Sequence, residues 1–456
     1  MISSHLVRRL AFAGLALTAS PLLAADVTST WSTATSGVWN ANGNWINVPA
    51  LGGFPNNGNG GVATYDAVIS ATGSPYTVTL NTNITVEDLT LNSANATINH
   101  TAGTFTATGA IAISAGTYQL NGGTISNTVI NPSGSGIFLI GASTANLLSG
   151  VTINGDLTLN TSAVTRIAGA TTFGTAHLAG GNLVSLGFAP GYTRNNTVLF
   201  EGAAAGNRAI EMNGTSGTLT IGATGVMRTE AGFGGSVFMG GGNYFFGSMT
   251  LVNQGLISSQ TSGRTVTIQP ASLTNQGTLE ALNGGVLSIS AATWSSATGA
   301  TLRANGSTLN LSGSWSNSGT IEAINTGTLN IAATTWSNAA GATLRGLNGS
   351  TLNLSGNWSN SGALTVDNST LNLGGSFTTA GLNLASFSNT GGAVNLTGTL
   401  NNTASTLTLN NTTGSWTLKG GAINGGTLDF ANGKSLVIGT TTANLLSGVR
   451  AYASKI

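Results

Sequence analysis

Charged side chains, which acid–base chemistry requires, are scarce in this chain and collect in one stretch. Only 5% of the 456 residues are charged, against about 25% in an average soluble protein. The densest group is Arg194, Glu201, Arg208, Glu211, Arg228 and Glu230, followed by the aromatic residues Phe233, Phe238, Tyr244, Phe245 and Phe246. Hydrolysis of a glycosidic bond needs two carboxyl groups roughly 5 to 10 Å apart, so a carbohydrate-active site would be sought between Arg194 and Glu230. We favour the alternative, in which these charges are solvated on a long coil beside a buried aromatic stack.

Motifs of common catalytic and metal sites do not occur in the sequence. It contains no Gly-x-Ser-x-Gly and no His-Glu-x-x-His, which mark serine hydrolases and zinc proteases. It has no cysteine and only three histidines, His5, His100 and His177, too few for a typical zinc site. Residues 432–435 resemble the end of a phosphate-binding loop, but Leu428 stands where that loop needs a glycine. We therefore predict no catalytic residue, no cofactor and no metal.

Four tryptophans are candidates for contact with sugars. They are Trp294, Trp315, Trp336 and Trp358. If the indole rings stack, they could form an aromatic platform for glycan rings, or they could be a column in the core. Leu251 and Leu273 occupy the same repeat position, and this replacement by an aliphatic residue favours the core. Glycan contact remains the alternative.

The tryptophans belong to a repeat of about 21 residues, a length typical of stacked architectures. The repeat anchors are Leu251, Leu273, Trp294, Trp315, Trp336, Trp358 and Phe377. Each anchor is followed by polar residues, a glycine and short alternating strands such as Thr308-Leu309-Asn310-Leu311. In such a stack, each turn buries its apolar side against the next. We predict an all-β parallel β-helix (solenoid) with about 21 residues per turn.

Charged residues recur with the same period. In successive repeats the residue after the apolar strand residue that follows the glycine is Glu280, Arg303, Glu322 and Arg345. If the turns stack in register, the four side chains form an alternating acid–base column on the outer face. Exposed pairs of this kind stabilise a fold by only about 0 to 1 kcal/mol each. We therefore expect their main role to be fixing the register between neighbouring coils.

The chain divides into four predicted segments. Residues 1–25 carry Arg8 and Arg9, an apolar stretch and two alanines, as a signal peptide does. Residues 26–75 contain Trp31, Trp39 and Trp45 and are predicted to cap the solenoid. Residues 76–449 are the repeats, and residues 450–456 form a truncated or divergent tail. The segment 140–151 returns almost unchanged as the segment 438–449.

Composition excludes several partners. The formal net charge is +1, and the 13 Lys and Arg residues are scattered, whereas nucleic-acid binding requires a basic patch. Beyond the N-terminus no apolar run reaches about 18 residues, so no transmembrane segment is expected in the mature chain.

The sequence resembles bacterial β-strand-repeat surface proteins, a group that includes autotransporter passenger-like domains and exosortase-sorted extracellular proteins. The resemblance is carried by the Trp-rich opening, the strands from Thr77 to Leu91 and segments such as Trp315-Ser316-Asn317-Ser318-Gly319, and it covers most of residues 26 to 449. It implies a right-handed β-helix, export, and a place on the outer surface of a Gram-negative bacterium or in its extracellular matrix. No translocator domain and no Pro-Glu-Pro sorting tail accompany it.

We expect an exported structural or adhesive protein without enzymatic activity. Its partners would be polysaccharides or surface glycans, or further copies of the chain through the solenoid ends, where strand edges are unpaired. Two alternatives stay open: a polysaccharide lyase or hydrolase built on a β-helix, and a non-functional fragment of a longer surface protein.

Overall fold

The chain folds as a stack of parallel coils. The computed structural model describes residues 26–62 and 64–453, and the predicted signal peptide lies outside the described residues. The fold is all-β, with 54% strand and 3% helix, and about 18 turns follow one another at intervals of about 22 residues. These features confirm the predicted parallel β-helix and its period.

Most coils contain three short strands, one in each of three parallel sheets. In the coil at residues 249–268, Met249–Asn253 lies in sheet 2, Leu256–Ser259 in sheet 3 and Thr265–Ile268 in sheet 1. Two long strands, Thr328–Asn338 and Thr351–Asn360, run through both sheet 1 and sheet 2.

The strands of each sheet follow in chain order. Sheet 1 contains Ile84–Val86, Thr104–Ala107, Thr124–Ser126, Leu147–Ser149, Val164–Ala168, Val184–Phe188, Arg208–Met212, Val237–Met239, Thr265–Ile268, Val286–Ile289, Thr308–Leu311, the two long strands, Thr370–Leu373, Ala393–Leu396, Trp416–Leu418 and Leu436–Ile438. Sheet 2 contains Tyr192–Arg194, Gly217–Ile221, Met249–Asn253, Ser272–Asn275, Thr293–Ser296, Ser314–Asn317, the two long strands, Ser376–Thr378, Thr399–Asn401, Ala422–Asn424 and Leu445–Ser447. Sheet 3 contains Leu157–Leu159, Ala176–Leu178, Thr197–Phe200, Val226–Thr229, Leu256–Ser259, Thr278–Ala281, Thr301–Asn305, Thr320–Ile324, Thr343–Leu347, Ala363–Asp367 and Phe387–Thr390. A further small sheet contains Thr406–Leu409, Thr427–Phe430 and Arg450–Ala453.

The first coils form a separate nine-stranded sheet. Its strands are Val27–Trp31, Gly37–Val38, Trp45–Val48, Tyr65–Ile69, Tyr76–Leu80, Asp88–His100, Ala110–Leu120, Val129–Ile140 and Thr152–Ile153. Within the described residues, helical structure is limited to Thr379–Leu382 and to 3₁₀ turns at Asn42–Asn44, Asn59–Gly61 and Leu384–Ser386.

A tryptophan cluster lies near the N-terminus, as predicted. Trp45–Val48 pairs antiparallel with Val27–Trp31 and so departs from the parallel stacking. Trp45 packs edge-on against Trp31 and Trp39, with ring centroids 5.0 and 4.8 Å apart. The predicted limit of this cap at residue 75 stays a prediction.

Alternation along each strand places apolar side chains inside the coil. In Thr308–Leu311 the two leucines are buried, whereas Thr308 and Asn310 are partly exposed, because successive side chains of a strand point to opposite faces. Full burial of one leucine contributes roughly 1.5 to 3 kcal/mol, and stacking repeats this gain in every coil.

A buried asparagine forms the corner between sheets 2 and 3, and it explains the Trp-Ser-Asn-x-Gly pattern. The Asn317 side chain accepts a hydrogen bond from the Gly319 amide at 3.1 Å and donates one to the Gly319 carbonyl at 3.0 Å. Its amide also donates to Asn338 in the next coil at 2.8 Å. Because a buried polar group is costly when it lacks a partner, these contacts hold both the turn and the register between coils.

The duplicated segment forms the same turn twice. Asn146 accepts from the Gly122 amide at 2.6 Å and donates to the Gly141 carbonyl at 3.0 Å. Asn444 accepts from Gly420 and donates to Gly439, each at 2.7 Å. Equal sequence therefore produces equal local structure in both copies.

The last described strands expose apolar side chains. These are Val437, Ile438, Leu445, Leu446 and Tyr452. Within the predicted tail, Arg450–Ala453 forms a strand that pairs in parallel with Thr427–Phe430, while residues 454–456 lie outside the described part. Self-association through a solenoid end stays a prediction.

Candidate functional site

The four candidate tryptophans form a continuous ring stack. Trp294, Trp315, Trp336 and Trp358 have centroids 4.7, 5.0 and 5.2 Å apart and interplanar angles of 20° or less, and Phe377 extends the stack at 4.3 Å. Each indole is only 3–6% exposed. The faces that a sugar ring would need are occupied by neighbouring rings, so the burial agrees with the core interpretation.

The four charged residues stack in the predicted register, but the glutamate in the middle of the column is buried rather than exposed. Glu280, Arg303, Glu322 and Arg345 are successive neighbours in sheet 3. The Glu322 carboxylate accepts hydrogen bonds from Arg303 Nε at 2.5 Å and from Arg345 Nε at 2.7 Å. The Glu322 side chain is 1% exposed. The two arginines remain 37% and 41% exposed, because they fold over the carboxylate from the coils on either side.

Two opposing effects act on the pKa of Glu322. Burial raises it, and the hydrogen bonds and positive charges of Arg303 and Arg345 lower it; the arginines outweigh burial, so the pKa lies below the usual value. The carboxylate is therefore ionised at neutral pH.

Three of the six charged residues between Arg194 and Glu230 are buried, namely Arg194, Arg208 and Glu211, and for these three the expectation of solvated charges was wrong. Arg194 donates to the carbonyls of Phe173 and Thr197, and its guanidinium lies 4.1 Å from the centre of the Phe173 ring. Burial lowers the pKa of Arg194 to about 10, so the side chain still carries its charge at neutral pH. Arg208, also buried, donates to the carbonyls of Leu178, Gly206 and Glu201 at 2.5 to 2.8 Å.

Glu211 organises the aromatic loop rather than facing solvent. Its buried carboxylate accepts hydrogen bonds from the Ser185 hydroxyl and from the backbone amides of Asn243 and Tyr244. Among the following aromatics, Phe233 and Phe245 are buried, whereas Phe246 is 79% exposed. Only part of the predicted aromatic stack is therefore in the core. Arg228 and Glu230 form a partly exposed ion pair at 2.6 Å.

One carboxylate pair was not identified from the sequence. Asp66 and Asp88 are register neighbours on adjacent strands, which lie roughly 4.8 Å apart in a sheet. They line a groove of about 330 Å³ together with Thr28, Thr90 and Ala110. Asp66 Oδ1 is buried without a hydrogen-bond partner. The spacing of the two aspartates along the chain equals the period of the fold, about 22 residues, and could have revealed the pair.

The environment of Asp66 opposes ionisation of its carboxyl. Burial raises the pKa of the Asp66 carboxyl, and the negative charges of Asp88 and Glu87 raise it further. Asp88 instead accepts a hydrogen bond from the Ala110 amide at 2.6 Å. Two carboxyls on adjacent strands, one with a raised pKa, meet part of the requirement for an acid and a nucleophile in glycoside hydrolysis.

A second titratable cluster lies on sheet 3. His177 Nδ1 is 3.1 Å from Glu201 Oε1, and its Nε2 is 3.4 Å from Asp156 Oδ2. The other described histidine, His100, is buried against Tyr118 at 3.0 Å, and burial lowers its pKa to about 4, so its ring is neutral.

Asparagines form an outward ladder on sheet 1. The amides of Asn310, Asn330, Asn353, Asn372 and Asn395 occupy one position in five successive coils and are half-buried. In the last four, Nδ2 donates to the Oδ1 of the preceding asparagine, with distances of 2.9, 2.7, 2.6 and 2.8 Å, and Asn310 Nδ2 donates to the Ser288 hydroxyl at 3.1 Å. An asparagine amide offers two N–H donors and two acceptor lone pairs, so the ladder leaves one of each per coil for another partner.

A groove runs beside this ladder. It has a volume of about 600 Å³ and is lined by residues that include Asn330, Ala332, Asn353, Ser355, Thr397 and Lys419. No aromatic side chain and no carboxylate is part of the lining. The groove therefore presents amide and hydroxyl groups with one cation, Lys419, and extends along the stack.

Within residues 26–62 and 64–453, no three histidine, aspartate or glutamate side chains converge in a way that could hold a metal ion. No helix in this part of the chain is long and apolar enough to cross a membrane. Comparison of the chain with family models, with curated proteins and with solved structures gives no match.

Proposed function

We propose that this protein is an exported, non-catalytic rod of the cell surface or extracellular matrix that adheres to polysaccharide through many weak contacts. The observation that carries the proposal is the outward asparagine ladder, which displays the same amide in five successive coils. Linked weak contacts bind strongly together when their spacing allows simultaneous engagement, and a rigid parallel stack keeps that spacing constant.

The use of the buried charges supports a structural role. Arg194 and Arg208 bond to backbone carbonyls, and Glu211 bonds to backbone amides and a serine. Their hydrogen bonds hold the irregular coils together, because a buried charge must be hydrogen-bonded to be tolerated. The predicted glycan contact at Trp294, Trp315, Trp336 and Trp358 has less support than contact at the asparagine ladder, since the rings are covered.

A second candidate is a glycoside hydrolase or polysaccharide lyase, and the Asp66–Asp88 pair favours it. The pair combines the spacing of adjacent strands, a groove and a raised Asp66 pKa. Perturbed carboxyls in clefts occur at catalytic sites, although structural groups also show them.

One experiment separates the two candidates. The protein is incubated with insoluble and soluble polysaccharides, and both co-sedimentation and release of reducing ends are measured. We expect binding without product. The hydrolase would be established instead if the wild type and the matched surface control Asp367→Asn release product, whereas Asp66→Asn and Asp88→Asn do not. Absence of both binding and product would contradict the adhesive role.

A further inference from the structure

The groove beside the asparagine ladder is long enough for a polymer. Ala332, Ser355, Gly374, Thr397 and Lys419 occupy the same repeat position in five successive coils and all line it. Four intervals of about 4.8 Å give a length of roughly 19 Å along the stack. A ligand that fills the groove must therefore be extended and parallel to the solenoid axis.

The lining decides which chemistry this ligand has. Each ladder amide retains one N–H and one lone pair, and the hydroxyls of Ser355 and Thr397 and the ammonium of Lys419 lie beside them. Typical small-molecule pockets are lined mainly by apolar and aromatic side chains, and this groove contains no aromatic residue. A partner rich in hydroxyl groups, which both donate and accept, matches the alternating donors and acceptors of the ladder.

Other polymers fit less well. A peptide that extends a sheet needs an unpaired strand edge, but the strands here are paired on both sides by neighbouring coils. A nucleic acid needs several cations for its phosphates, and Lys419 is the single cationic side chain in the lining.

We propose that this groove, from Ala332 to Lys419, binds a linear neutral polysaccharide that lies along the solenoid axis. The sugar hydroxyls form hydrogen bonds with the remaining N–H and lone pair of the Asn330, Asn353 and Asn372 amides. This inference rests on the proposed adhesive function and assigns it a surface and a ligand class. Because the contacts are hydrogen bonds to mostly uncharged groups, added salt should change the affinity little.

The test uses a pair of matched variants. Ala332 is exposed in the groove, and Ser290 is exposed at the same repeat position two coils earlier, outside the groove lining. Ala332→Ile fills the groove with a side chain that cannot hydrogen-bond, whereas Ser290→Ile makes a similar change elsewhere on sheet 1. Asn353→Leu, a third variant, removes one ladder amide while roughly conserving volume.

The full chain and its variants are sedimented with cellulose and with chitin, and are titrated with a soluble neutral β-glucan and with polygalacturonate. We expect the wild type to bind a neutral polymer, Ala332→Ile and Asn353→Leu to bind at least about tenfold more weakly, and Ser290→Ile to bind like the wild type. Thermal unfolding of all four proteins checks that they are folded.

The outcomes separate this inference from the proposed function. If the wild type binds neutral polymers and both groove variants bind equally well, the groove is rejected and the adhesive function stands. If only polygalacturonate binds, the ligand class is rejected. If none of these polymers binds, the groove inference and the adhesive function both fail. If a polymer is instead cleaved and product is released, catalysis replaces the adhesive function.

Discussion

The substitution Glu322→Gln tests whether the charged column stabilises the stack. The change keeps the shape of the side chain but removes the charge that Arg303 and Arg345 contact at 2.5 to 2.7 Å. Breaking a buried ion pair costs about 3 to 5 kcal/mol, whereas an exposed pair is worth only about 0 to 1 kcal/mol. Glu322 is buried but both arginines are more than a third exposed, so solvent screens them and we expect a loss of about 2 kcal/mol.

The pH dependence of this loss follows from the lowered pKa of Glu322. An acid with a depressed folded-state pKa contributes stability that is complete above its unfolded pKa, about 4.3 for glutamate, and is lost as the pH falls through the folded value. The difference between wild type and Glu322→Gln should therefore be full at pH 7 and shrink below about pH 4.

Urea unfolding at neutral and acidic pH measures both effects, provided that the dependence on denaturant is unchanged between variants. Glu280→Gln is the matched control, because Glu280 lies two coils earlier in the same column and accepts only a 3.1 Å hydrogen bond from Ser258. It should lose less stability. Equal stability of Glu322→Gln and wild type at pH 7, or a difference that does not vary with pH, would refute this reasoning.

Four further predictions concern stability and are measured by chemical denaturation. Trp336→Ala should cost about 3 to 5 kcal/mol, because the ring is stacked on both faces; a loss under about 1 kcal/mol would contradict the core column. Asn146→Ala should cost about 3 kcal/mol and Asn444→Ala about 2 kcal/mol of unfolding free energy. Asn146 makes three hydrogen bonds and Asn444 makes two, and each is worth roughly 1 kcal/mol. Equal losses would count against this explanation. Arg208→Lys should cost about 3 kcal/mol, because an ammonium cannot reach three carbonyls as the guanidinium fork does; full stability of this variant would contradict that role. Asp66→Asn should stabilise the fold at neutral pH, because burial and the nearby carboxylates raise the folded-state pKa of Asp66. A raised folded-state pKa disfavours the ionised form only above the unfolded pKa, so the gain should vanish below about pH 4. A gain that persists in acid would be inconsistent with this explanation.

The repeat made the architecture predictable from the sequence. Each coil is a local unit of about 22 residues, and alternation within strands such as Thr308–Leu311 already separates inward from outward side chains. Once a constant period is accepted, residues one period apart become neighbours. The intervals between Glu280, Arg303, Glu322 and Arg345 are 23, 19 and 23 residues, so their register follows from the position that they share within each repeat, and the structure confirms it.

The candidate sites were less predictable, because they depend on pairs that no local motif marks. Asp66 and Asp88 lie one period apart, and His177 is separated by a similar interval from its two acidic partners, Asp156 and Glu201. The 22-residue spacing of Asp66 and Asp88 equals the period and marks them as candidate neighbours. The intervals around His177 are 21 and 24 residues, because the early coils have irregular lengths, so the period does not show which acids flank this histidine.

The amino-acid pattern is sufficient for the stack of parallel coils, the core positions of the anchors and the order of charges along one face. Which of those polar groups solvent can reach depends on the packed coils. Glu322 points outward by alternation and is nonetheless buried, since Arg303 and Arg345 from the adjacent coils cover it. Arg194 lies inside because backbone carbonyls of an irregular coil accept hydrogen bonds from its guanidinium. Exposure is set by the neighbouring coils, and a pattern along one strand contains no information about them.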